Sequence, residues 1–271
     1  MTSVAAIQMT SSADVGGNLA TAERLLGEAR GRGATVAALP ENFAFMGLDE
    51  ADKFRIAEEE GDGPIQRALG AVARGLGLWI VAGTVPLRVP GERRLAAACL
   101  VYDSTGRCVA RYDKIHLFDV EIPGRCERYQ ESASVRPGRE PVCVDTPAGR
   151  LGLAVCYDVR FPELFRRLLD LGAEWYCLPA AFTAPTGRAH WETLLRARAI
   201  ENLCHVVAPA QSGFHDNGRE THGDSMIVDC WGRVTARLPR GTGVVVGAID
   251  LVRQREVRQN FPSISHRQST S

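Results

Sequence analysis

Short apolar runs alternate with amphipathic stretches along the whole chain, and this alternation constrains the fold more than any other feature. An apolar run of four to eight residues bounded by turn formers reads as a buried strand. An i, i+3, i+4 apolar pattern reads as a helix with one covered side. Strands are expected at Val4–Met9, Thr35–Leu39, Leu78–Gly83, Ala96–Asp103, Cys108–Tyr112, Val142–Asp145 and Leu151–Val155. Further strands are expected at Trp175–Leu178, His205–Ala210, Ser225–Asp229, Val234–Arg237 and Val244–Ile249. Helices are expected at Asn18–Gly31, Pro64–Gly75, Glu163–Leu171 and Ala189–Asn202, the second opening on a proline after Asp62 and Gly63. Hairpin-like pairs and helix crossovers both occur. The expected architecture is therefore a mixed sheet or two stacked sheets with helices outside, an α/β layered sandwich. No Ser/Gly-rich linker divides the 271 residues, so a single domain over 1–271 is expected, with its core about 4–267.

Lys+Arg and Asp+Glu number 32 each, so the net charge is zero, and the basic excess of a nucleic-acid partner is missing. No apolar run approaches bilayer-spanning length, and Met1–Thr10 reads as a strand rather than as a signal peptide. Of the eight cysteines no two lie within four residues of each other, so the close pairs of zinc sites are absent. Reduced thiols in the cytoplasm, mostly buried as small apolar residues, are the expectation. Neither a metal nor another cofactor is expected.

Three polar residues sit where an apolar strand gives way to a loop. Glu41 follows Val36-Ala37-Ala38-Leu39-Pro40, Lys114 follows the strand ending at Tyr112, and Cys156 follows Leu151-Gly152-Leu153-Ala154-Val155. Strand ends hold side chains rigidly enough for catalysis, and separations of 73 and 42 residues mean that only the tertiary fold could unite these three. Their chemistry is coherent. A cysteine attacks carbonyls once deprotonated, a carboxylate can take and return its proton, and an ammonium favours both thiolate and oxyanion. A helix entering at Phe161 is expected to add backbone N–H groups at the same spot. Spacing alone leaves blander readings open: Cys156 as core packing, Glu41 as a turn residue, Lys114 as an exposed strand end.

The local sequences decide between these readings. Leu39-Pro40-Glu41-Asn42, Tyr112-Asp113-Lys114-Ile115-His116-Leu117 and Gly152–Glu163, with Cys156-Tyr157-Asp158 at its centre, resemble the three catalytic signatures of the nitrilase superfamily, in order. The resemblance runs from Val4 to about Arg267. It implies a four-layer αββα sandwich, a Glu41–Lys114–Cys156 triad and a thioester acyl-enzyme that water hydrolyses. It also implies a role for a second glutamate, Glu131, in positioning substrate or assisting the base, against a capping or surface role. A homodimer is expected by resemblance and because two-fold assemblies are common. The stretch Arg255–Arg267 is a candidate to cross to the partner, against simple surface packing.

Within the superfamily, His116–Gly124, Gln130-Glu131-Ser132, Ala181–Gly187 and His190-Trp191-Glu192 resemble the amidase branch that acts on 2-oxo acid amides. This implies a small acidic amide as substrate, with deaminated glutathione first and 2-oxoglutaramate, a carbamoyl amine or a nitrile as alternatives. Arg125, Arg128 and Arg160 are candidate carboxylate binders, since guanidinium groups grip carboxylates bidentately. The alternative is that Arg160 braces the loop after Cys156 while Arg125 and Arg128 are solvated. Tyr157, Thr183 and Thr186 complete the candidate substrate-binding set. His190 and Glu192 are read as supports at the start of a helix, and His116 and His222 as loop hydrogen-bonders. There is no Gly-x-Ser-x-Gly elbow or P-loop, and Gly75-Leu76-Gly77 lacks the third glycine of a dinucleotide fingerprint.

Overall fold

The structure, a computed structural model, describes residues 1–121 and 128–268. Two sheets dominate it. The first orders its strands Gly243–Ile249, Thr2–Gln8, Val36–Leu39, Trp79–Ala82, Ala96–Tyr102 and Val85–Leu87, with Cys108–Asp113 also paired to Ala96–Tyr102. The second orders Val234–Leu238, Ser225–Val228, His205–Ala208, Trp175–Cys177, Gly149–Leu153 and Cys143–Thr146.

Alternation along the strands explains the layering. Val4, Ala6, Val36 and Ala38 share a core with Leu151, Leu153, Val206 and Ile227 of the other sheet. Their neighbours Ala5, Ile7, Ala37 and Leu39 turn the opposite way and pack on Leu25, Leu26 and Leu69. Those last residues belong to helices α1 (Val15–Gly31) and α2 (Pro64–Leu76). On the far side, Leu164, Phe165 and Leu168 of α3 (Pro162–Asp170) and Trp191 and Leu195 of α4 (Ala184–Asn202) cover the second sheet. The result is an αββα sandwich. Strands buried on both faces have no polar side to show, which is why they read as continuous apolar runs.

Departures from the expected elements fall where the pattern is short or polar. Helix α4 begins at Ala184, five residues earlier than its apolar spacing indicates, with Thr183 at the N-cap and a proline in the first turn. Gly187 lies inside that turn, where a Cβ would run into the His222 ring. A fifth helix, α5 (Leu251–Asn260), forms from a segment too polar to signal one. It lies on its own chain: Gln254 Nε2 donates to the Glu174 carbonyl at 2.9 Å and Arg258 Nε to that of Leu203 at 3.1 Å. Arg267, at the end of the stretch that follows, pairs with Asp170 of the same chain at 2.7 Å. Two short hairpins, Asp119–Glu121 with Arg128–Gln130 and Ser212–Phe214 with Glu220–His222, have no sequence signal and frame the cleft described next.

Candidate active site

The parallel strands Val36–Leu39 and Gly149–Leu153 belong to facing sheets, and each releases a candidate residue just past its carboxyl end. Glu41 is fixed through its backbone. Gly83, with φ +50, lets the next strand pass so close to the Pro40 carbonyl that a Cβ would collide with its oxygen. Thr84 Oγ1 accepts the Asn42 N–H at 2.8 Å, and Gln211 Nε2 donates to the Glu41 carbonyl at 3.1 Å. Cys156 opens a 3₁₀ turn, Cys156–Arg160, with φ 49, and its N–H donates to the Pro179 carbonyl at 2.9 Å. A non-glycine residue in this left-handed region holds strain that the surrounding hydrogen bonds sustain.

The fold brings the separated residues together. Lys114 Nζ donates to Glu41 Oε1 at 2.8 Å and to Glu131 Oε1 and Oε2 at 3.1 and 2.9 Å. Glu41 Oε2 accepts the Ala181 N–H at 2.9 Å, and the Cys156 thiol bonds to the Glu41 carboxylate. Relative exposures are 5% for Glu41, 2% for Lys114, 6% for Cys156 and 8% for Glu131, so these ions meet away from bulk water. Glu131 also accepts the Phe118 N–H at 2.7 Å, fixing the wall as well as the ammonium.

Burial alone would raise the Glu41 carboxyl, yet the charge and hydrogen bond of Lys114 pull it below the ordinary carboxylate value. Burial and then the Glu41 charge push the Cys156 thiol well above its ordinary value, with Lys114 opposing. Burial opposes the Lys114 charge, but Glu131 and Glu41 overcome it and hold the ammonium well above the usual lysine value. The resting site is thus a neutral thiol beside an ionised carboxylate and a charged ammonium. That arrangement suits attack coupled to proton transfer rather than a preformed thiolate.

A cleft of about 480 Å³, part of it open to solvent, surrounds these groups. Phe118, Tyr129, Tyr157, Phe182, Thr183 and Thr186 line it, together with Asn42, Glu50, Lys53 and Arg219. It leads into a broader outer cleft, open to solvent, walled by Phe45, Met46, Pro185, Phe214 and Arg128 among others. Tyr157, Thr183 and Thr186 thus line the cleft, and the two threonine hydroxyls bond each other at 2.7 Å. Arg160 stands behind the wall. Its guanidinium lies over the Tyr157 and Phe182 rings at 5.7 and 5.4 Å and faces His190 Nδ1 at 3.3 Å, the bracing arrangement. Arg128 is on the outer rim, 3.5 Å from Glu121, and Arg125 lies outside the described residues. The helix after Cys156 has few N–H groups free for the expected cradle. Pro162 has no N–H, and those of Phe161 and Leu164 go to the Asp158 and Phe161 carbonyls. Lys53, Glu50 and Arg219 escape sequence reasoning because they come from a polar 3₁₀ turn and a hairpin loop with no periodic signature.

A carbon–nitrogen hydrolase family model matches residues 3–259. The chain is 45% identical over 267 residues to the deaminated glutathione amidase of Synechocystis sp., covering 97% of both proteins. It superposes on the NitFhit protein of C. elegans with a TM-score of 0.91 at 41% identity, over 99% of this chain and 65% of that longer one. An amidase from Nesterenkonia sp., seen with acrylamide added at its active-site cysteine, superposes with a TM-score of 0.80 at 25% identity over 96% of this chain and 100% of that one. The chain belongs to the carbon–nitrogen hydrolase family, within the nitrilase superfamily. It is an amide-hydrolysing enzyme.

Proposed function

We propose that this single-domain enzyme hydrolyses deaminated glutathione through a thioester on Cys156. The observation that supports this best is the Lys114 ammonium bridging Glu41 and Glu131 beside the Cys156 thiol. In the proposed sequence the Cys156 sulfur attacks the amide carbonyl while Glu41 takes the thiol proton. The carbonyl oxygen becomes an oxyanion facing Lys114, whose charge Glu131 keeps in place. Glu41 returns the proton to the departing nitrogen, the carbon–nitrogen bond breaks and the acyl group remains as thioester. Glu41 then deprotonates a water that attacks the thioester carbonyl, and the proton passes back to sulfur as the acid leaves.

The relatives' activity supports the substrate, and so does cleft size. A dipeptide leaving group needs room beyond the reacting carbonyl, and the outer cleft offers it. 2-Oxoglutaramate, which releases only ammonia, would leave that space unused. Tyr157, Thr183 and Thr186 are assigned to the substrate wall. We place the enzyme in the cytoplasm, in keeping with its cysteine usage. We also assign it a homodimeric state, supported by an apolar patch in which Trp231 (53% exposed) stacks edge-on against Phe261 (51%) near Ile200 (48%).

The test compares release of amine or ammonia from deaminated glutathione, 2-oxoglutaramate, N-carbamoylputrescine and a neutral aliphatic amide. Intact-mass analysis with a slow amide should show one acyl adduct, on Cys156, and C156A should fold without turnover. Preference for the cationic or neutral compound would overturn the substrate, and an active C156A would overturn the mechanism.

A further inference from the structure

The charged residues lining the inner cleft are Glu41, Glu50, Glu131, Lys53, Lys114 and Arg219. Five of these six are accounted for. Lys114 is held by Glu41 and Glu131, and Lys53 Nζ pairs with Glu50 at 2.6 Å. Arg219 has no carboxylate at ion-pair distance among the described residues. Its Nη2 donates to the Ala181 carbonyl and its guanidinium lies 5.1 Å from the centre of the Tyr129 ring. Its Nε is buried and meets no hydrogen-bond acceptor. Arg219 also lines both clefts, so it stands at the neck between them.

The Arg219 charge acts on Glu41 and Glu50 without pairing with either, a buried donor without an acceptor is costly, and a guanidinium free of ion-pair contact can receive a carboxylate bidentately. Tyr129 and the Ala181 carbonyl hold the group in one orientation. The Ala181 N–H reaches Glu41, so a single residue links the guanidinium to the Glu41 carboxylate. Resting on the reading that the substrate is an acidic amide, we infer that Arg219 binds a substrate carboxylate at this neck and sets the preference for acidic amides. This gives the role to a residue in the loop joining the hairpin strands Ser212–Phe214 and Glu220–His222 rather than to Arg160, which stands behind the wall.

The test measures kcat/KM for deaminated glutathione, 2-oxoglutaramate and a neutral amide such as propionamide in wild type, R219Q, R219K and K53M. The quantity read is the ratio of acidic to neutral kcat/KM. R219Q should lower it roughly 10- to 100-fold, the scale of one charge-assisted hydrogen-bonded contact, mainly through KM. R219K, which keeps the charge without the fork, should fall between. A drop shared by 2-oxoglutaramate supports contact with the acyl half; a drop confined to deaminated glutathione supports contact with the departing dipeptide. If R219Q lowers all three substrates equally, Arg219 merely supports the Ala181 peptide and the inference fails. It fails too if K53M moves the ratio and R219Q does not. A wild-type enzyme without preference for acidic amides would instead overturn the acidic-substrate reading itself.

Discussion

The Tyr112 hydroxyl donates to Asp158 Oδ2 at 2.7 Å, across 46 residues of sequence and between the two sheets. The same carboxylate accepts the Val155 N–H at 2.8 Å and the His116 N–H at 3.0 Å, and it faces His116 Nδ1 at 2.7 Å. Asp158 is fully buried, and His116 stacks on Phe161 with ring centroids 3.7 Å apart. One carboxylate thus ties the segment bearing Lys114 to the turn bearing Cys156.

Replacing that carboxylate should loosen both segments together. D158N keeps the shape but turns one acceptor into a donor, facing a hydroxyl and N–H groups. A loss of about 2–3 kcal/mol is expected, or roughly 5 °C in Tm, with kcat falling more than KM changes. Thermal melts and steady-state kinetics check this. A D158N melting with wild type at full kcat would refute the tie, and Y112F should show a smaller loss of about 1 kcal/mol.

Gly83 should tolerate no side chain. In G83A the new Cβ meets the Pro40 carbonyl and the backbone must keep a positive φ, so a cost of about 2 kcal/mol or more is expected, with slower turnover as Glu41 shifts. G33A is the control: φ is +87 there, but nothing lies within 4 Å of the added carbon. It should cost about 1 kcal/mol and leave kcat unchanged. Equal effects of the two on kcat would show that contact with Pro40 does not position Glu41.

The pH dependence follows from the shifted groups. Glu41 ionises below the ordinary 4.5, so the acid limb of kcat/KM should lie below pH 4.5. Lys114 titrates well above 10.5 and Cys156 well above 9.0, so the rate should stay level to at least pH 9. Stability has the matching signs. The Glu41 contribution is full above 4.5 and fades as pH falls through its lower folded value. The Lys114 contribution is full below 10.5 and is lost as pH rises through its higher folded value. Initial rates after brief exposure across pH 4–10 would show this plateau, whereas an acid limb near pH 7 would mean that another group supplies the base.

The proposed triad should fail as a unit. E41Q, K114M and C156A should each lower kcat/KM by about 1000-fold or more, and E41Q/C156A should be no worse than C156A alone. Prolonged chelation should leave the wild-type rate unchanged, since the thiol, carboxylate and ammonium cover nucleophile, base and oxyanion partner. A multiplicative double mutant, or activity restored by added zinc after chelation, would contradict this arrangement.

The patch around Trp231 and Phe261 should be covered in solution. Light scattering at micromolar concentration should give twice the 29.4 kDa chain mass, and I200E should shift it toward the monomer. A wild-type monomer would refute the dimer, and an I200E dimer would move the interface elsewhere.

Composition and periodicity reached the layered α/β sandwich because strands covered on both faces must be apolar throughout, as Val36–Leu39 and Leu151–Val155 are. The motifs around Glu41 and Cys156 were legible for a similar reason, since each sits where such a strand runs out, whereas Lys114 follows the mostly half-exposed strand Cys108–Asp113 and was legible by its motif alone. Helix α5 was hidden, because a helix held by Gln254 and Arg258 through polar contacts leaves no apolar stripe to read. The substrate wall was legible only in part. Arg160 has the right chemistry in sequence, yet aromatic stacking turns it behind the wall. Arg219 and Lys53 enter the cleft from segments without pattern, placed there by hairpin and turn geometry. Local sequence sets which segments are strands and which residues end them. Which charges meet across the cleft, and which one has no carboxylate at ion-pair distance among the described residues, depends on distances between segments far apart in the chain, and those exist only once the two sheets have packed.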